Sequence, residues 1–332
     1  MTKNRNVGID VLRSFGFLLI ILAHVEAPDF LKVLRCFDVP LMIFVSGLCY
    51  CGKKNISNIN FYKRRILRLL FPTWLFLTAL FSIKSLIMRT IDAEVVVKSF
   101  LLFYNGSIGY VWIVKVFLLI MFATPVLINL VSNCSRKVVY LLIIGLLLVE
   151  EIIVNTICGE SLYFDEIVPY LLGYAGFFVF GLLTNRLERK EEKRQLVIIF
   201  GVCVFALIIW YIVYGNLRII DYKYPPSFLY IMYGYMMCLL LWYLRSWYLI
   251  NPTGWFSDLL LKYLVFIGQN TLWLYLWHIP FVLISNHFMD QWYVKYILVL
   301  LCCSFVMVVQ YKLVVRHRQK TGNKSGLSYF LG

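Results

Sequence analysis

A succession of apolar stretches, each about 20 residues long and separated by short segments where the charges collect, constrains this chain more than any other feature. A helix of that length measures about 30 Å, the thickness of the hydrocarbon core of a bilayer. Windows of this size give expected spans near 8–25, 34–51, 69–88, 110–131, 138–156, 168–185, 196–214, 227–245, 264–285 and 293–314. The 332 residues are 61% hydrophobic and 15% charged, against an apolar share of about 45–50% in soluble domains. The breaks at 52–68, 89–109 and 246–263 leave no room for a separate core. The chain therefore reads as one polytopic domain over 1–332, an all-α integral membrane bundle of about ten transmembrane helices. Its first apolar run is long and has no small-residue cleavage site after it, so it reads as a retained helix.

The formal net charge is +15. In a soluble protein that excess would point to nucleic acid, but in a membrane protein it follows from cytoplasmic loops rich in Lys and Arg, and no nucleic-acid partner is expected. A cytoplasmic N-terminus places Lys3, Arg5, the cluster Lys53 to Arg68, Arg136, Lys137, the run "NRLERKEEKR" and the tail "RHRQKTGNK" inside. It leaves "CGESLYFDEI", Glu26, Asp29, Asp92 and Glu94 outside. Both termini are thus expected in the cytoplasm, and the protein in the inner (cytoplasmic) membrane. The nine cysteines show no metal-ligand spacing, and Cys203, Cys238, Cys302 and Cys303 lie inside apolar runs. Neither a metal site nor a disulfide framework is expected.

Ionisable groups within the spans are costly, by about 2.5–3.5 kcal/mol for an arginine, and so mark function or a partner. Arg13 and His24 are separated by eleven residues, which on a helix brings them within about 20° of one another and about 16 Å apart along the axis. They share one stripe. Arg13 either snorkels, pairs with Asp10 three residues back, or serves a site; His24 is either interfacial or chemical. Arg65 and Arg68, three apart in "FYKRRILRLLFPTW", share a face at the cytoplasmic entrance of the third span. Paired guanidinium forks suit phosphate, and they also suit a flank that orients the span among anionic headgroups.

Several separated stretches resemble the acyltransferase-3 family of integral membrane acyltransferases. "GIDVLRSFGFLLIILAH" resembles its first helix, with Arg13 and His24 at the paired arginine and histidine. "VPLMIFVSGLCY" resembles its second-helix phrase ending in Phe, any residue, Ser, Gly, which places Ser46 in the motif. "YKRRILRLLFPTW" resembles its basic block closed by proline, with Arg65 and Arg68 at the paired arginines. "YVWIVKVFLLIMFATPVL" resembles its Trp-to-Pro fourth span, and "IGQNTLWLYLWHIP" its late Tyr-Leu-x-His phrase. Met42-Ile43-Phe44-Val45 departs from the family's usual double phenylalanine, and Lys115 stands where a nonpolar or aromatic residue is usual. Some members carry a C-terminal hydrolase-like domain, and this chain is expected to be the form without it.

The resemblance implies an O-acyltransferase that takes an acyl group, most simply acetyl, from cytoplasmic acetyl-CoA or another acyl-CoA as co-substrate. The implied acceptor is a hydroxyl of a surface or lipid-linked glycan, with the polysaccharide-synthesis machinery as a further partner. A hydroxyl must lose its proton to react, and a neutral imidazole does that work near pH 7, which makes His24 the expected base. Glu26 and Asp38 are candidate orienters of its ring. Arg13 would offset charge on the thioester oxygen, while Arg65 and Arg68 would hold the CoA phosphates. His278, ahead of Pro280, is a second candidate, structural or catalytic. Tyr222, Tyr224 and Tyr230 are candidates to stack on the acceptor sugar. Two rival classes remain. A transporter or flippase for a lipid-linked sugar would show inverted repeats with broken helices, and no such symmetry is seen; a non-catalytic assembly partner would not need the Arg and His set.

Overall fold

The computed structural model describes residues 6–50, 59–88, 92–159, 161–215, 218–245, 254–321 and 330, and every regular element among them is helical. Lys3, Arg5, Lys53, Lys54 and the 322–324 part of the basic tail lie outside the described residues. Helix α1 (Val7–His24) starts under Asn6, whose side-chain oxygen accepts from the Gly8 amide at 3.0 Å. Beyond it the chain turns through Glu26, in the left-handed conformation at φ 56°, into the short α2 (Asp29–Arg35) and then α3 (Asp38–Leu48). There follow α4 (Ile59–Met88), α5 (Ala93–Phe100), α6 (Trp112–Asn133), α7 (Arg136–Thr156), α8 (Leu162–Asp165) and α9 (Val168–Thr184). The last five are α10 (Arg189–Tyr214), α11 (Phe228–Tyr243), α12 (Trp255–Gln269), α13 (Thr271–Phe288) and α14 (Trp292–Thr321).

Among the described residues, six helices are long and apolar enough to cross a membrane: α1, α4, α6, α7, α10 and α14. Helices α12 and α13 meet at 90° and make a seventh if the bent pair is one span. Of the about ten transmembrane helices expected, six or seven thus have the length and apolar content of a full span. The stretch 34–51 is interrupted ahead of Asp38, and α3, with 11 residues, rises only about 16 Å at about 1.5 Å per residue. The stretch 264–285 breaks at Asn270, whose side-chain amide donates to the Phe266 carbonyl at 2.8 Å. Helices α9 and α11 are shorter apolar helices of 17 and 16 residues. Much of α9 and α11 is buried in the protein, and a hydropathy window does not distinguish burial in protein from burial in lipid.

Helix α9 forms the centre, packed by α3, α6 and α7, with Tyr174, Phe177 and Phe178 essentially inaccessible. It meets α3 at a glycine crossing: a Cβ on Gly47 would lie 2.2 Å from the Phe178 carbonyl oxygen, and one on Gly181 would lie 2.2 Å from that of Phe44. Helix α12 crosses α1 in the same way. A Cβ on Gly268 would sit 2.0 Å from the Asp10 carbonyl oxygen, and the Ser14 hydroxyl donates to the Leu264 carbonyl nearby. Helix α10 lies at the periphery and exposes Val197, Phe200, Phe205, Ile208 and Ile212, the surface that lipid would cover.

The two ends of the bundle differ in charge. At one end Arg136 pairs with Glu191, Arg186 donates to the Val131 carbonyl at 2.9 Å, and Glu192 receives Arg245 at 2.8 Å and the Trp242 indole at 2.9 Å. The Asn185 amide donates there to the Leu48 carbonyl at 2.9 Å, tying the end of α9 to the end of α3. Arg64, Arg65 and Lys63 open α4 at this same basic end.

Candidate active site

Two cavities lie along α1. The first, of about 410 Å3, is lined by Arg13, Ser46, Tyr50, Arg65, Arg68 and Gln269, with Tyr275 at its wall. The second, of about 540 Å3, is lined by His24, Arg35, Asp38, Tyr110, Lys223 and Tyr224. Ile113 lines both, so they adjoin. Each volume falls in the range of small-molecule sites, about 300–1,000 Å3.

At the basic end, Arg13 is held rather than loose. One guanidinium nitrogen stands 3.6 Å from Asp10 Oδ1, and the other donates to Cys49 Sγ at 3.1 Å. Gln269, brought in by the bend between α12 and α13, donates to Asp10 Oδ2 at 3.5 Å. The Arg65 guanidinium lies over the Tyr50 and Phe61 rings, 5.4 and 5.9 Å from their centroids. Arg64 turns the other way, with Nε donating to the Asn60 carbonyl at 3.0 Å on the exposed face. The i, i+3 pair of the sequence thus faces the cavity, and its neighbour does not.

In the far cavity the His24 ring lies 4.7 Å from the Tyr110 ring and 5.5 Å from the His278 ring, centroid to centroid. His278 is fully buried. Its Nδ1 contacts the Tyr275 carbonyl, which only accepts, so Nδ1 carries the hydrogen and Nε2 holds a lone pair. That Nε2 and the Tyr275 hydroxyl are both buried with no hydrogen-bond partner among the described residues. Tyr275 lines the basic-end cavity, and the His278 ring stands beside that of His24, which lines the far one. Native interiors leave few such groups.

Two buried charge clusters frame the far cavity. Asp38 receives Arg35 at 2.8 Å on one oxygen, and Lys223 at 2.7 Å and its own helix's Val39 amide at 2.9 Å on the other. Burial lowers the pKa of Lys223, which lies in the loop ahead of α11, and the Asp38 carboxylate opposes that shift. In the second cluster Glu166 pairs with Lys115 and accepts the amides of Tyr104 at 3.0 Å and Asn105 at 2.9 Å. This clamp fixes the loop that carries Tyr104, which stacks on Tyr224 at 4.5 Å, and Tyr110, which meets His24.

A family model described as an acyltransferase domain matches residues 6–309, nearly the whole chain. The chain belongs to the acyltransferase 3 family. No curated protein and no solved structure matches it. This membrane acyltransferase brings together at its two cavities most of the residues that its sequence singled out: Arg13, Ser46, Arg65 and Arg68 in one, His24, Asp38 and Tyr224 in the other. Ser46 donates to the Met42 carbonyl at 3.0 Å within its own helix.

Three candidates stand elsewhere. Glu26, read as an orienter of His24, instead pairs with Lys295 of α14. The Tyr222 hydroxyl accepts from the Trp210 indole at 3.1 Å outside the cavities, and Tyr230 is sealed in the core with its hydroxyl 3.2 Å from that of Tyr174. The acyltransferase also holds groups the sequence did not flag: Arg35, Lys223, Tyr110, and the Lys115–Glu166 clamp that accounts for the unusual lysine of the fourth motif. The Arg35–Asp38 half of the first cluster has the i, i+3 spacing of a helical ion pair, the signal that would have found it.

Proposed function

We propose that this acyltransferase moves an acyl group, most simply acetyl, from acyl-CoA supplied at the basic end to a hydroxyl of a surface or lipid-linked glycan in the far cavity. The basic end is then the cytoplasmic one, as the excess of Lys and Arg implies. Arg65 and Arg68 take the CoA phosphates at the mouth, and the pantetheine arm runs along α1 past Arg13 toward His24. The acceptor hydroxyl gives its proton to an imidazole nitrogen of His24 as its oxygen adds to the thioester carbonyl. The C–S bond then breaks, and the departing thiolate takes that proton to leave as free CoA thiol. Arg13 supplies positive charge along the path of the donor.

One observation carries this reading: a cavity bearing three arginines adjoins a cavity bearing a histidine along one helix. The direct test is donor affinity. Replacing both Arg65 and Arg68 with alanine is expected to raise the Kd for acetyl-CoA by about tenfold or more in purified protein, and lysine at both positions to restore only part of it. An unchanged Kd would make the pair a membrane flank and nothing else.

A further inference from the structure

The far cavity carries a charge that the transfer step does not use. Most ion pairs away from the basic end join one cation to one carboxylate: Lys32 with Asp29, Lys98 with Glu94, Lys115 with Glu166, Arg218 with Asp221 and Lys295 with Glu26. Asp38 differs from these pairs: it is one carboxylate shared by two cations, Arg35 and Lys223. The cluster therefore bears a net single positive charge. It is also buried, with Arg35, Asp38 and Lys223 exposed by 6%, 2% and 1%. The Nε of Arg35 has no hydrogen-bond partner among the described residues, although both this side chain and Lys223 line the cavity that holds His24. Placing an uncompensated cation where protein and lipid exclude water is costly, and leaving its donor unsatisfied adds to the cost. A ligand anion removes both costs.

We infer that the acceptor is anionic, and that its carboxylate or phosphate docks on Arg35 and Lys223 while a nearby hydroxyl is presented to His24. This rests on the transfer reading above and narrows its acceptor to an acidic glycan. Arg35 offers a planar fork for such a group and Lys223 a point charge beside it. Tyr224, 5.5 Å from the Lys223 ammonium by its ring centroid, and Tyr104 stacked upon it give an aromatic wall against which a sugar ring can lie. The other ionised groups nearest the cavity, Lys115 with Glu166 and Lys295 with Glu26, cancel one another and leave the preference to this cluster.

The test uses full-length protein in nanodiscs without donor, and three probes: methyl glucoside, methyl glucuronide for a carboxylate, and glucose 1-phosphate for a phosphate. The parent is expected to bind at least one anionic probe about tenfold or more tighter than the neutral one, the size of a single desolvated charge contact; which anion wins tells carboxylate from phosphate. Lys223→Met, which leaves Arg35 and Asp38 balanced, is expected to abolish the preference. Lys223→Met combined with Asp38→Asn, which restores a net positive charge on Arg35, is expected to bring it back, a result that a strut role for Lys223 does not produce. A parent with no preference, whether it binds all three probes alike or none at millimolar concentration, overturns the inference, as does a preference that survives Lys223→Met. Acetyl-CoA affinity measured on the same samples reports on the donor reading separately, so either can fail alone.

Discussion

At the scale of single residues, the charges buried near this site are held in small clusters, and the clusters set where rings and loops stand. Lys115 lies 4.9 Å from the Tyr170 ring centroid and bonds Glu166, which in turn holds two amides of the loop bearing Tyr110. Removing one member strands the other. Lys115→Met is expected to cost about 3–5 kcal/mol, read as a large drop in melting temperature in detergent, and Lys115→Met with Glu166→Gln to recover most of it. A single variant as stable as the parent would show that the clamp does not hold the loop. Part of this chemistry was legible in the sequence: counting eleven residues from Arg13 to His24 gives one stripe, and both do line cavities along α1. The sharing of Asp38 was not, because Lys223 is 185 positions away and nothing beside it in sequence points to a partner.

At the scale of elements, glycine decides which helices approach. Gly47 and Gly181 let α3 and α9 meet backbone to backbone, and α3 presents Ser46 to the basic-end cavity from one side of that crossing. Gly181→Val is expected to lose at least about 1–3 kcal/mol through overpacking, with poor recovery of monodisperse protein on size exclusion. Gly201→Ala on α10, where an added Cβ meets nothing within 4 Å, serves as the tolerant control. Equal behaviour of the two would remove the crossing from the account of the fold. The motif phrases showed where these elements are but not how they bend. "IGQNT" reads as part of a span, yet its glycine seats α12 against α1, and its Gln269 and Thr271 reach the cavity because the chain turns by 90° between them. Apolar content alone cannot report such a turn, since the buried half of a bent pair is as hydrophobic as a lipid-facing helix.

At the scale of the molecule, one helix joins two cavities that differ in chemistry. Arginines gather on the cavity at the basic end, and a histidine with a net-positive cluster sits on the cavity at the other. The measurement that tests this arrangement most directly supplies acetyl-labelled acetyl-CoA to the outward, cytoplasmic face of sealed inverted membrane vesicles and follows ester-linked label on membrane glycans, with parental protein and with His24→Gln. Glutamine keeps hydrogen-bonding capacity but takes no proton at neutral pH. The predicted result is labelled glycan with the parent, and with His24→Gln none above background while acetyl-CoA is bound at parental affinity. Near-parental labelling by a well-expressed His24→Gln protein would contradict a passage that ends at this histidine.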